Sequence, residues 1–259
     1  MPSSFRLLLE YDGTDFEGWQ AQGLPHRTVQ EVLEAAVERV TGERVRVTAA
    51  GRTDAGVHAE GQVVSLRLAA LMAADKLHRA LNGVLPQDVA VRAADAVPDH
   101  FDARRDAVSK RYRYALWNDA SRSPLRIRRF SFVPTPLDLA AMRAAACCLL
   151  GRHDFTAFQT AGSRVASSVR TLIALEVRTG APGEVFFEVE AGGFLHHMVR
   201  ILTGTLIEVG QGKREPASMS IVLASRERSR AGPTAPPQGL TLLYVKYPPD
   251  FNFDEKTGP

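Results

Sequence analysis

The sequence predicts an α+β protein in which helices pack on a largely antiparallel sheet. Two observations carry this expectation. Strand-like and helix-like patterns alternate along the chain without a low-complexity tract, and each half contributes strands and helices of similar size. Phe5 to Tyr11 reads as a buried strand. Thr28 to Thr41 reads as a helix: Thr28 and Glu31 form a capping box, and Gly42 ends the run. Within it Val29, Val32, Leu33, Ala36, Val37 and Val40 fall on one face at 3.6-residue spacing. Strands are expected at about 44–49 and 61–68, then a helix at about 71–81 closed by Asn82-Gly83, then strands from Asp88 to Ala96 and Ala107 to Leu116. The second half repeats the theme. A helix from Leu137 to Leu150 is stopped by Gly151, and strands at 169–178 and 184–191 precede a long helix from Leu195 to Gly210. A short helix near 216–225 and a strand from Leu240 to Tyr247 complete the pattern. Segments 117–136, 159–168 and 231–239 read as exposed loops.

A chain of 259 residues is long enough for one large domain or two small ones, each with its own core. At 45% hydrophobic and 24% charged its composition is that of a soluble protein. Arg6, Glu10, Asp12 and Asp15 interrupt any secretory signal, and no apolar run approaches the roughly 18 residues of a membrane span. Cys147 and Cys148 are neighbours within a helical pattern and so point apart, which suggests neither a disulfide nor a metal site. A cytoplasmic protein with reduced thiols is expected. Net charge is only +3, but from Arg104 to Arg129 nine basic residues face two acidic ones, leaving the remainder at −4. Charge concentrated in this way is the footprint of a polyanion site, and Arg126, Arg128 and Arg129 in its loop are candidate contacts to a phosphate backbone.

The stretch Arg52-Thr-Asp-Ala-Gly56 sets one carboxylate two residues after a guanidinium and two before a glycine, between two strand patterns. An acid on a tight loop between strands is held rigidly and presented outward. A positive charge beside it would favour its ionised form. The same residues also describe an ordinary turn, with Asp54 capping backbone N–H groups and Gly56 supplying positive φ. Lys110-Arg-Tyr-Arg-Tyr114 has strand alternation: Lys110, Tyr112 and Tyr114 share one face, and Arg111 and Arg113 share the other. On the long helix Phe194, His197 and Ile201 would share one face and His196 and Arg200 another. Adjacent histidines diverge on a helix and no second ligand cluster exists, so no metal is expected. Gly210-Gln-Gly-Lys213 is too short for a phosphate-binding loop, so no nucleotide cofactor is expected either.

The decapeptide Ala50-Gly-Arg-Thr-Asp-Ala-Gly-Val-His-Ala59 resembles the signature of the tRNA pseudouridine synthase A family. Further blocks are similar and stand in the family's order: Glu10-Tyr-Asp-Gly-Thr14, Gly18-Trp-Gln20, Thr28-Val-Gln-Glu31, Gly61-Gln-Val-Val64 and Phe101-Asp-Ala-Arg104. Lys110-Arg-Tyr-Arg-Tyr114, Gly151-Arg-His-Asp-Phe155, Phe194-Leu-His-His-Met-Val-Arg200 and Ala231-Gly-Pro-Thr-Ala-Pro-Pro237 continue the series, so the resemblance runs from about residue 5 to 248. One departure is Gln159, where the family pattern usually has arginine.

The resemblance implies two α/β halves joined through one extended central sheet, with the active-site cleft between them. The halves are expected at residues 1–105, carrying the acid loop, and 106–248, carrying the basic segment and the long helix; the polar tail 249–259 is expected to be disordered. It also implies isomerisation of uridine to pseudouridine at positions 38, 39 and 40 of the tRNA anticodon stem-loop, by a homodimer whose two subunits share one tRNA, without cofactor. Asp54 would be the essential carboxylate acting on a flipped-out uridine. The ring of Tyr112 would pack over the uracil, and Arg200 would be the helix-borne basic residue that pairs with the acid. Arg52 would either hold Asp54 or contact the phosphate beside the flipped nucleotide. Two other readings share parts of this pattern: a tRNA-binding factor without catalysis, and a hydrolase releasing free uracil.

Overall fold

The computed structural model describes residues 3–23, 25–163 and 165–251. Among these residues ten strands make up one sheet, largely antiparallel as the sequence predicts, and five α-helices accompany it. The chain divides into two compact units: the residues up to Val108 together with those from Leu242, and Ser109–Thr241. The last strand therefore begins in the second unit and ends in the first, whereas the sequence pattern had placed it wholly in the second half.

In the first unit, β1 (Ser3–Tyr11) is flanked by β3 (His58–Leu68) and β4 (Val89–Val97), with Leu7 opposite Val64 on one side and Ala94 on the other. Leu7, Leu9, Val64 and Leu68 are buried, because alternate side chains of a strand share one face and these lie on the covered one. Helix α1 (Val29–Thr41) starts at the expected cap: Thr28 Oγ1 accepts from Glu31 N and donates to the Glu31 carboxylate at 2.6 Å. It stops at Gly42, whose φ of 75° suits glycine and whose N–H returns to Glu38 O. Val29, Leu33, Ala36 and Val37 form its buried stripe. The strand expected over 44–49 shrinks to β2 (Thr48–Ala49), because Val47 N–H donates to the Glu34 side chain instead of a strand partner. Helix α2 (Ala74–Asn82) begins three residues later than the pattern suggests, and β3 begins three residues earlier. Within the expected tail, residues 249–251 form a 3₁₀ turn that sets the Phe251 ring 5.1 Å from Phe101; the rest lies outside the described residues.

In the second unit, β5 (Ser109–Asn118) pairs with β9 (Glu184–Ala191), which pairs with β8 (Val169–Thr179), then β7 (Gly151–Asp154). Strand β6 (Ser131–Val133) runs parallel to β5 inside the segment expected to be a loop. Both β6 and β7 are too short for their alternation to show in sequence. Helix α3 (Leu139–Cys147) is capped by Asp138, whose carboxylate accepts from Ala141 N at 2.9 Å. Helix α4 (Met198–Gly210) packs on α3 and β5, and α5 (Ser218–Ser225) follows. Gly204 lets the 231–235 segment lie against α4; a Cβ there would meet Pro233 O at 1.8 Å. The long helix was expected from Leu195. It starts at Met198 because His197 adopts a left-handed backbone, φ 60°, which a continuous helix cannot pass through.

Candidate active site

The Asp54 loop is built mostly from backbone. Ala50 N–H bonds Val63 O at 2.8 Å, and a turn closes between Val57 N–H and Asp54 O at 3.1 Å, with Gly56 at φ 76°. The segment 13–19 is laid against this turn: Trp19 N–H donates to Thr53 O at 3.0 Å, and Gly56 N–H to Phe16 O at 3.2 Å. Two glycines permit the approach. Gly18 has φ 94°, and a Cβ on it would stand 2.9 Å from Thr53 O; one on Gly13 would stand 2.0 Å from Val57 O. A Gly13→Ala variant should therefore displace one of the two backbones, lowering stability by about 1–3 kcal/mol and, with it, any activity that depends on this loop. Thermal unfolding and an activity assay on the same preparation check both.

Polar side chains complete the support. The Tyr11 hydroxyl shares a 2.8 Å hydrogen bond with Thr53 Oγ1, and Gln62 Nε2 donates to Gly51 O at 2.7 Å. Burial pushes the Tyr11 phenol up to about 12, against the opposing pull of the Thr53 and Gln62 hydrogen bonds, so it remains a hydroxyl at neutral pH. His58 is fully buried; its Nδ1 accepts from Gly13 N–H at 3.0 Å and lies 3.1 Å from Asp12 Oδ1. Asp12 in turn accepts from the Thr14 backbone and hydroxyl. On this scaffold Thr53 is buried, Asp54 half-buried, and Arg52 and Ala55 exposed. Among the described residues Arg52 has no hydrogen bond or ion pair, so its guanidinium is not what holds Asp54 in the turn.

The other nominated residues lie in the second unit. Tyr112 sits on β5 opposite Val189, 7% exposed, its ring edge-on to Phe194 at 5.2 Å. Tyr114 is a core residue whose hydroxyl donates to Pro236 O at 2.7 Å. Arg200 occupies the first turn of α4, and its Nε donates to Ala235 O at 2.8 Å while Ala235 N–H returns to Arg200 O. It is thus tied to the 231–235 segment and is not a solvent-facing arginine. His196 and His197 precede the helix, so the face assignment drawn from helical spacing does not apply to them. Instead of diverging, their rings lie 3.9 Å apart at 34°, with His197 Nδ1 2.9 Å from Thr160 Oγ1.

Three arginines of the basic segment are neutralised within the fold. Register sets Arg113 opposite Glu188 and Arg111 opposite Glu190. Glu188, 4% exposed, receives Arg111 at 2.6 Å and Arg113 at 2.7 Å, and Arg111 also reaches Glu176 at 3.0 Å. Arg126 is held by Glu184 at 2.9 Å and lies over the Trp117 ring at 4.4 Å. Arg128 and Arg129 are exposed. The acids that cancel this charge stand 58 to 77 positions further along the chain, too far for a charge count along the sequence to include them. That count also missed Tyr11, Gln62 and His58; the signal available was polar residues at buried strand positions.

A family model described as tRNA pseudouridine synthase matches residues 8–106 and 145–248. That sets the class: a pseudouridine synthase, an isomerase. The chain belongs to the tRNA pseudouridine synthase family. It is 50% identical to the tRNA pseudouridine synthase A of Myxococcus xanthus over 93% of this chain and 91% of that one. Identity to the proteins of the same name is 46% for Brevibacillus brevis, covering 93% and 98%, and 47% for Methylobacterium nodulans, covering 94% and 96%.

Proposed function

We propose that this protein converts uridine to pseudouridine at positions 38, 39 and 40 of the tRNA anticodon stem-loop, with Asp54 as its essential carboxylate. The observation that carries the reading is the Asp54 loop itself, anchored on both sides by backbone hydrogen bonds yet leaving the acid only half-buried. Preorganised support around one acid is what a catalytic group needs and what a binding surface does not. The reaction breaks the bond between C1′ and N1, turns the base and forms a bond between C1′ and C5; N1 gains a proton and C5 loses its hydrogen. Substrate and product are isomers, so the balance needs no oxidant, metal or energy carrier. The uridine must leave its stack for a side chain to reach C1′. Tyr112 supplies an aromatic face for the splayed base, Arg52 an unengaged guanidinium for the adjacent phosphate, and Arg200 a further cation for the substrate. A homodimer in the cytoplasm belongs to the same reading.

The test is tritium release from tRNA carrying [5-³H]uridine, followed by mapping of the modified positions. Release confined to tRNAs with uridine at 38–40, without free uracil, supports the reading; release from other positions, or uracil in the supernatant, sinks it. Arg128 and Arg129 are the backbone contacts of this proposal. Replacing both by alanine should weaken tRNA binding and reduce the slope of log K against log salt by about 1–2. Arg126 is left in place there because removing it would expose Glu184. An unchanged slope would mean that both charges face bulk water in the complex.

A further inference from the structure

We infer that Tyr11, Thr53 and Gln62 are positioning residues for Asp54, a buried chain of two hydroxyls and an amide that fixes the peptide units leading into the acid. The inference rests on the reading of Asp54 as the essential carboxylate. The three side chains come from the end of β1, the loop and β3, and are 1%, 7% and 0% exposed. Their hydrogen bonds fall on both sides of Arg52: Gln62 Nε2 holds the carbonyl of Gly51, and Tyr11 holds the hydroxyl of Thr53. Gln62 Nε2 also lies 3.5 Å from the Tyr11 oxygen. The Trp19 amide holds the carbonyl of Thr53, and beyond the acid the Val57–Asp54 turn and the Gly56 amide take over. Asp54 is thereby bracketed.

Two features indicate that this polarity serves aim rather than packing. Phenylalanine at 11 and valine at 53 would fill the same space without desolvating polar groups, which is costly unless each is paired. The chain keeps the polar set even though Gln62 Oε1 is buried and has no hydrogen-bond partner among the described residues. Further, the pairing of β1 with β3 shifts register between Leu9, opposite Gln62, and Tyr11, opposite Ala59. A bulge of this kind re-aims a side chain next to an active site. Here the extra residue falls on β3, between Ala59 and Gln62, so the bulge bends the strand that carries Gln62 where it passes Tyr11.

The experiment compares Tyr11→Phe, Thr53→Val, their double variant, Thr53→Ser and Asp54→Asn by single-turnover tritium release, tRNA Kd and thermal unfolding. Tyr11→Phe and Thr53→Val should each slow the single-turnover step about tenfold or more with Kd unchanged, as expected when a reacting group is misplaced by a fraction of an ångström. The double variant should be no slower than the slower single variant, because both remove one shared bond, and Thr53→Ser should recover most of the rate. Parent-like rates in both single variants, a loss confined to Kd, or a Thr53→Ser as slow as Thr53→Val would overturn the inference. If Tyr11→Phe does not fold, the Thr53 pair decides alone. An Asp54→Asn protein with the parent's rate would sink the reading of Asp54 itself; an inactive Asp54→Asn beside full-rate Tyr11→Phe and Thr53→Val would sink only the positioning role.

Discussion

Asp54→Asn is expected to abolish tritium release from [5-³H]uridine tRNA while tRNA binding persists. Asparagine has nearly the shape of aspartate, and the contacts that hold the turn, from Trp19, Gly56 and Val57, are made by backbone atoms that the substitution leaves alone. The loop should therefore keep its shape. What is lost is the ionised oxygen, and removing a catalytic carboxylate costs at least ~10²–10⁴ in rate. The comparison separates the enzyme from a binding factor on the same scaffold. A factor that only binds tRNA would make Asp54→Asn and the parent indistinguishable, with no release from either.

The second large effect concerns stability. Glu188→Gln should destabilise the second unit by about 2–3 kcal/mol at neutral pH, since it removes charge-assisted hydrogen bonds to two arginines and leaves both beside a neutral amide. Arg111, with Glu176 and Glu190 close by, loses less than Arg113. The same ladder sets a pH dependence. Burial works against the charged form of Glu188, but the hydrogen bonds from Arg113 and Arg111 outweigh it, so the carboxyl lies below its ordinary range. A group depressed on folding stabilises above its unfolded pKa, about 4.3 for glutamate, and that contribution disappears as pH falls through the folded value. The parent should lose stability on acidification below about pH 4.5, and Glu188→Gln should lose less over that range. Unfolding curves at neutral and acidic pH check this; a neutral-pH midpoint shared by parent and variant would mean that the arginines find replacement partners in solvent.

Helix α1 was legible from its own residues, because capping box, apolar stripe and terminal glycine are all local signals that no distant contact overrides. The strand alternation of β1 and β5 was legible for the same reason, down to the separation of Tyr112 and Tyr114 from Arg111 and Arg113. The Asp54 loop was legible as a motif, through the residues around it. The rest required three dimensions. Strand β2 is short because Glu34, on a helix, captures the amide of Val47. Helix α4 begins late because His197 turns left-handed while Thr160 bonds its ring and the carbonyl of His196. Arg111, Arg113 and Arg126 of the basic segment are ion-paired because strand register brings Glu184, Glu188 and Glu190 to them. Sequence alone sufficed for what depends on neighbours a few positions apart: element type, caps, and the motif that nominates Asp54. Tertiary structure alone decided what depends on residues brought together from far along the chain, namely which charges remain available and how the backbone of 13–19 and the side chains of Tyr11 and Gln62 hold Asp54 in place. Hydrogen bonds and ion pairs form by distance in space, and that distance is set only once the sheet has chosen its register.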